Sequence, residues 1–299
     1  MMESGDLRIF QCVAQEGNLT KAAARLGYVQ SNVTARIRHL ETEVGTPLFI
    51  RHNRGMTLSP AGEMLLTYAD KIIGLLNDAS KALQATNTPS GPLRIGSTQT
   101  AAAVRLPELF AKYYKQFPAV SLSLATGNSQ MLIDQVMGYE LEGAFIGCSC
   151  DHSDIASVPV YDEELYIVSS GVDAEPVEEL TGKPILVYSM GCSYRQTLEE
   201  WLRSSGVTRP VIMEFGTLEA IISGVASGMG ISLLPEIVIR QQIESGILRK
   251  HSLPTGVNHM MTRFITRKDA FVSSALGAFM AMLPKEYDMI EGRKDTSEV

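Results

Sequence analysis

Apolar side chains recur along the first sixty residues in three short runs of helical period, and a glycine closes each run. Leu7, Phe10, Val13 and Ala14 form the first, stopped at Gly17. Leu19, Ala22, Ala23 and Leu26 form the second, opened by Asn18 as a side-chain cap and stopped at Gly27. Val33, Ile37, Leu40 and Val44 form the third, stopped at Gly45. Glycine ends helices because it enters left-handed backbone without a Cβ clash. Two β-prone runs between Pro47 and Leu58 then flank Asn53-Arg54-Gly55, which predicts a hairpin, or wing. Ser59-Pro60 opens a long helix reaching about Gln84. Its apolar positions Leu65, Ala69, Ile72, Leu76, Ala79 and Leu83 step by four and three, a heptad seam that needs another helix to cover it. The following stretch, to Pro92, has no apolar period and reads as a linker. From Leu93 onward short apolar strands alternate with polar loops and helices, with strands at Leu93–Gly96, Val120–Ala125, Ile185–Ser189 and Val211–Phe215. That alternation predicts an α/β fold with mostly parallel sheets.

Two short helices joined at Gly27 predict a helix-turn-helix. Ala23 is small where the helices approach, and Val33 faces back into their angle. The second helix begins near Gln30, and its early positions Gln30, Ser31, Asn32 and Thr34, with Arg36 and Arg38 behind them, are candidates for DNA contact. Gln and Asn pair with an adenine edge and Arg with guanine. Arg51 and Arg54 on the hairpin are candidates for neutralising phosphates.

Charge supports this division. The net charge is −7, yet residues 1–88 hold nine Lys/Arg against eight Asp/Glu, while the remainder holds 17 against 25. Phosphate binding depends on local rather than global charge. Hydrophobic residues at 45% and charged residues at 20% exclude disordered and fibrous classes. No run of 18 mainly apolar residues occurs, so no membrane partner is expected, and the acidic start Met-Met-Glu-Ser-Gly-Asp predicts retention in the cytoplasm. Four cysteines, at 12, 148, 150 and 192, make no disulfide framework.

In the second part the polar loops following strands carry Ser97, Thr98 and Thr100; Asn128 and Ser129; Ser193 with Arg195; and Gly216 with Thr217. Ligands in α/β folds bind at the carboxyl ends of strands and at helix N-termini. Hydroxyls and free amides there, with Arg195 for charge, predict a pocket for a small polar or anionic molecule. Cys148, Cys150 and His152 form a soft-metal alternative that lacks a second cluster. Scattered histidines and the absence of a Gly-rich phosphate loop or a nucleophile elbow predict no enzyme and no cofactor. A solute-binding module is the remaining alternative, opposed by the N-terminal helices.

The first 65 residues resemble the LysR-type transcriptional regulators. The resemblance rests on Phe10, Val13, Ala14, Thr20, Ala22-Ala23, Leu26, Gln30, Val33, Thr34, Ile37, Leu40-Glu41, Gly45, Leu48-Phe49, Arg51, Leu58 and Gly62, and extends more weakly over the rest. It implies an N-terminal all-α winged helix-turn-helix domain at 1–58 (motif about 18–37) and a dimerising linker helix at 59–85. A linker at 86–92 and an α/β effector-binding domain at 93–299 follow, the latter built like a type 2 periplasmic binding protein. Two crossing strands, near Tyr161–Val168 and Thr262–Arg267, divide that domain into one subdomain of about 93–161 with 268–299 and another of about 169–261. The expected function is sequence-specific regulation at an operator or promoter. A small inducer closes the cleft and changes the angle between dimers, and so the bend of the DNA. The expected assembly is a homodimer pairing into a homotetramer, with RNA polymerase a further candidate partner. One position departs from the family pattern. Ser or Thr usually precedes the Gln of the recognition helix, whereas this chain has Val29, which has no oxygen for capping, so Ser31 is the expected cap and a later helix start follows.

Overall fold

The computed structural model describes residues 2–52, 55–83, 88–173, 176–253 and 257–284. The chain divides into two compact units, the first built on residues 1–85 and the second on most of the remainder. No described helix is long and apolar enough to cross a membrane.

The first unit holds α1 (Ser4–Glu16), α2 (Leu19–Leu26), α3 (Gln30–Val44), a hairpin of β1 (Phe49–His52) and β2 (Gly55–Leu58), and α4 (Pro60–Leu83). Phe10, Val13, Ala22, Val33, Ile37, Leu40 and Leu48 close its core. Gly27 follows α2 at φ 70°, where any Cβ is strained, and Tyr28 N–H then bonds Ala23 O at 2.9 Å, which turns the chain into α3. Gly55 sits against the α1–α2 turn: Met56 N–H donates to Gly17 O at 2.9 Å, and a Cβ at Gly55 would press on that same carbonyl. The hairpin is thereby fixed to the helices. Asn53 and Arg54, the expected wing tip, lie outside the described residues.

The second unit begins with β3 (Gly91–Ser97), α5 (Gln99–Val104), α6 (Leu106–Gln116), β4 (Val120–Thr126), α7 (Ser129–Met137) and β5 (Gly143–Ile146). The long strand β6 (Ile155–Ser170) leads to α8 (Val177–Leu180), β7 (Ile185–Val187), α9 (Ser193–Ser204), β8 (Ile212–Glu214), α10 (Leu218–Ala226), β9 (Ser232–Pro235), α11 (Glu236–Glu244) and β10 (Leu248–Ser252). Then β11 (His259–Arg267) returns and α12 (Ser274–Ala281) closes the unit.

Strand β6 belongs to two subdomains. Ile155 to Glu164 pair with β11, whereas Leu165 to Ser170 pair with β9 and β10. The return crossing falls earlier than expected: Arg263, Phe264 and Ile265 already pair with β5, and the register shifts between Thr262 and Arg263. Pairings β3–β4, β3–β5 and β7–β8 are parallel, while every pairing of β6 and β11 is antiparallel, so the sheets are mixed rather than mostly parallel. The two crossing strands traverse the unit in opposite directions, which forces that mixture.

Phe145, Phe264, Phe279 and Tyr113 pack ring against ring in the first subdomain, with Tyr113–Phe279 centroids 5.3 Å apart. Trp201, Leu198, Ile185 and Leu233 fill the second. Arg105, between α5 and α6, grips Glu163 of β6 through two bonds of 2.9 Å and lies 4.8 Å from the Tyr161 ring centroid. This charge-assisted fork ties the first subdomain to the crossing strand.

Candidate nucleic-acid interface and ligand cleft

In the first unit, Asn18 accepts from the amides of Thr20 and Lys21 at 2.8 and 3.1 Å and so starts α2. The Thr20 hydroxyl reaches the Gln30 side-chain carbonyl at 3.1 Å, which orients Gln30 at the start of α3. Helix α3 begins at Gln30 with Val29 as N-cap and no side-chain cap bond, so the expected capping by Ser31 and the later start do not occur. The Val29 carbonyl already accepts from Asn32 and Val33, which is enough to set the first turn.

Gln30, Ser31, Asn32 and Arg38 are exposed on α3, and Arg51 is exposed on β1. Thr34 is half-buried, and its hydroxyl donates back to Gln30 O at 2.9 Å. Arg36 is committed elsewhere: its guanidinium lies 2.9 Å from Asp6, a carboxylate buried in the first turn of α1, and 3.6 Å from Glu3. Asp6, thirty residues upstream, engages the cation within its own unit. Tyr28 and Val29 are exposed beside this set; the sequence marked Val29 only as a position lacking a cap oxygen, and Tyr28 not at all.

The long helix α4 carries two apolar faces. Leu65 and Ala69 turn inward onto the core of their own unit, with Ile73. Ile72, Leu76, Ala79 and Leu83 are exposed, joined by Met64, Tyr68 and Leu75. The single seam expected at heptad spacing thus mixes both faces. Core packing claims the first turns, and the uncovered stripe lies about a third of a turn away.

In the second unit a cavity of about 250 Å³ opens between the subdomains. The first subdomain contributes Thr98, Thr100, Asn128, Ser129 and Met131; the second contributes Tyr188, Cys192, Ser193 and Tyr194; and Met260 of β11 lies at the crossing. Asn128 caps α7 by accepting from Met131 N–H at 2.8 Å and reaches across to Met190 O at 3.4 Å. Gln99 Nε2 crosses the cleft to Gly216 O at 3.2 Å. The Tyr188 and Tyr194 hydroxyls approach Thr100, and burial pushes both phenols up, Tyr188 to about 12. Tyr188 Oη is sealed from solvent without a well-formed hydrogen bond, so both hydroxyls stay protonated donors at neutral pH. Burial also raises the Cys192 thiol, opposed by the amides of Arg195 and Tyr194.

Three expected cleft residues lie elsewhere. Ser97 is buried behind the cavity, its hydroxyl donating to Thr98 O at 2.9 Å. Thr217 caps α10, accepting from Ala220 N–H at 3.3 Å. Arg195 turns away: Nε meets Glu199 at 2.8 Å, and Nη1 meets Glu214 at 2.6 Å and Tyr188 O at 3.2 Å. Among the described residues no Lys, Arg, His, Asp or Glu lines the cavity. The metal alternative finds no gathered ligands: Cys148 and Cys150 pack beside Leu132 and Ile146, His152 Nδ1 accepts from Asp154 N–H, and no set of three suitable side chains occurs among the described residues. Tyr188 and Ser189 follow strand β7 and were open to the same strand-end rule, whereas Met260 carries no such signal.

A winged helix-turn-helix followed by a two-subdomain domain with a cleft defines a DNA-binding regulator that carries an effector-binding domain. Residues 4–63 match the family described as bacterial regulatory helix-turn-helix protein, lysR family, and residues 86–288 match the LysR substrate binding domain. The chain belongs to the LysR family of transcriptional regulators. It is 63% identical over 279 residues to the uncharacterized HTH-type transcriptional regulator YusT of Bacillus subtilis, covering 93% of this chain and 94% of that one. It is 41% identical to the HTH-type transcriptional regulator GltR of the same organism, over 95% of this chain and 96% of that one. In fold it is similar to full-length OxyR from Pseudomonas aeruginosa, with TM-score 0.70, 22% identity and coverage of 94% and 93% of the two chains. It is also similar to full-length CbnR complexed with its target DNA, with TM-score 0.65, 22% identity and coverage of 94% and 99%.

Proposed function

We propose that this regulator catalyses no reaction and works in the cytoplasm as a homodimer that pairs into a tetramer. Gln30, Ser31, Asn32 and Arg38 read an operator, and Arg51 with Arg54 neutralise flanking phosphates. The observation that carries the DNA reading is the exposed polar run Gln30-Ser31-Asn32 at the start of α3, the end of a recognition helix that meets base edges. The exposed stripe Met64, Tyr68, Ile72, Leu75 and Leu76 on α4 supports pairing with a second copy. RNA polymerase is a further partner at promoters.

The inducer is a small uncharged or singly negative molecule with a short apolar part. Hydroxyls of Thr98, Thr100, Ser129 and Ser193 meet its polar end, and Met131 and Met260 flank the rest. A dianion or an ammonium group would enter a cavity with no counter-charge, at considerable desolvation cost. Anisotropy titration of the duplex upstream of its own gene, from 50 to 200 mM salt, tests the DNA reading; affinity independent of salt overturns it. A thermal-shift screen of monocarboxylates against phosphate esters and amines tests the ligand class. Stabilisation by the phosphate esters or amines alone overturns it.

A further inference from the structure

The start of α3 exposes an aliphatic side chain that the fold does not use. Val29 is 68% exposed and occupies the N-cap, where an oxygen-bearing side chain would bond the free amides of the first turn. Valine there forgoes the cap, so it lowers the stability of the free protein relative to an oxygen-bearing residue, and its side chain gains almost no burial in return. It directly precedes Gln30, Ser31 and Asn32, all exposed, and follows Tyr28, itself half exposed. Nothing among the described residues covers this patch. The start of a recognition helix is the part that approaches base edges in the major groove. Of the groups those edges present, the C5 methyl of thymine is the apolar one.

We propose that Val29 reads a thymine in each half-site by packing its two γ-carbons on the C5 methyl. This makes it a specificity-determining residue beside the hydrogen-bonding set. The branched Cβ restricts the side chain to few rotamers, so the methyl pair is presented in a defined direction. The inference rests on α3 being the recognition helix, and the experiment separates the two.

The full-length chain is used to enrich duplexes from a randomised double-stranded library. The winning duplex is then resynthesised with each thymine replaced in turn by deoxyuridine, which removes only the C5 methyl. For the wild type, one replacement per half-site weakens binding roughly four-fold, the effect of one buried methyl-sized group. Val29→Ser gains a cap oxygen, melts no lower than the wild type and binds thymine and uridine duplexes equally. Val29→Ala, which deletes the γ-carbons without adding a hydroxyl, behaves in the same way, whereas Val29→Ile retains the preference. A wild type indifferent to every uridine, or a Val29→Ser variant as sensitive as the wild type, overturns the proposal. A selection that enriches no sequence removes the recognition-helix reading and the proposal with it.

Discussion

Arg36→Ala distinguishes an arginine that belongs to the fold from one that belongs to the DNA. Asp6 is 1% exposed and lies 2.9 Å from a guanidinium whose side chain is 45% exposed. Truncation leaves the carboxylate buried without its cation. For a fully buried pair that loss costs about 3–5 kcal/mol. Solvent around the half-open arginine screens the interaction and brings the expected cost to about 1–2 kcal/mol. At 4–8 °C per kcal/mol for a domain of this size, the transition of the first unit falls by about 4–16 °C. Calorimetry of the full chain at one fixed concentration reads this, since the proposed dimerisation would couple melting to concentration. Adding Asp6→Asn recovers most of the loss, because a neutral amide needs no cation. In anisotropy titrations the slope of log affinity against log salt stays unchanged for Arg36→Ala. It flattens by about 0.9 for Arg51→Ala, one phosphate contact. An Arg36→Ala variant with wild-type melting and a slope flattened by one unit would refute the structural assignment.

Three further outcomes follow from the geometry. Leu76→Asp places a charge on the exposed face of α4 and is expected to give a folded monomer with weakened operator binding in sedimentation and gel-shift assays. Ala69→Asp buries the charge in the domain core and unfolds it, and an intact Leu76→Asp dimer would argue that other surfaces hold the copies together. Thr98→Val removes a cleft donor and abolishes the inducer response in a reporter strain with basal DNA binding intact, while Arg195→Ala retains the response; the reverse pattern would show that Arg195 meets the ligand. Burial raises Tyr188 from its ordinary value near 10 to about 12, so the unfolded chain ionises first as pH rises. Stability of the second unit therefore holds below pH ~10 and falls as pH rises toward ~12. Urea unfolding followed by Trp201 fluorescence at pH 9 and 11 reads this, and Tyr188→Phe should lessen the fall. An identical fall in that variant would assign it to other groups, such as Tyr113, which burial also raises to about 12.

Local chemistry marked much of the first unit. Asn18 accepts from the amides of Thr20 and Lys21, and Gly27 N–H donates to the carbonyls of Ala23 and Ala24, so the start of α2 and the turn into α3 were visible in the chain. So were the hairpin pairing and the opening of α4 at Ser59-Pro60, because caps and turns depend on neighbours a few residues apart. The strand-end rule found Thr98, Thr100, Asn128 and Ser193 of the cleft, because strands deliver their loops to one end of a sheet. The same locality misjudged Val29: the missing cap oxygen was legible, but backbone bonds to its carbonyl start α3 at Gln30 regardless.

By itself the sequence determined the helices of the first unit with their helix-turn-helix, the length of α4 and the alternation of strands and helices in the second part, all of which depend on periodicity and short-range capping. Tertiary structure alone decided which polar groups remain free. Arg36 is engaged by Asp6 across thirty residues, and Arg195 by Glu199 and by Glu214 of another element. It also decided which stripe of α4 stays uncovered, and brought Met260 into the cavity beside Thr98, far away in the chain. A side chain's propensity belongs to its own few neighbours. Its availability depends on which distant charge or surface the fold places against it, and that is settled only when the core closes.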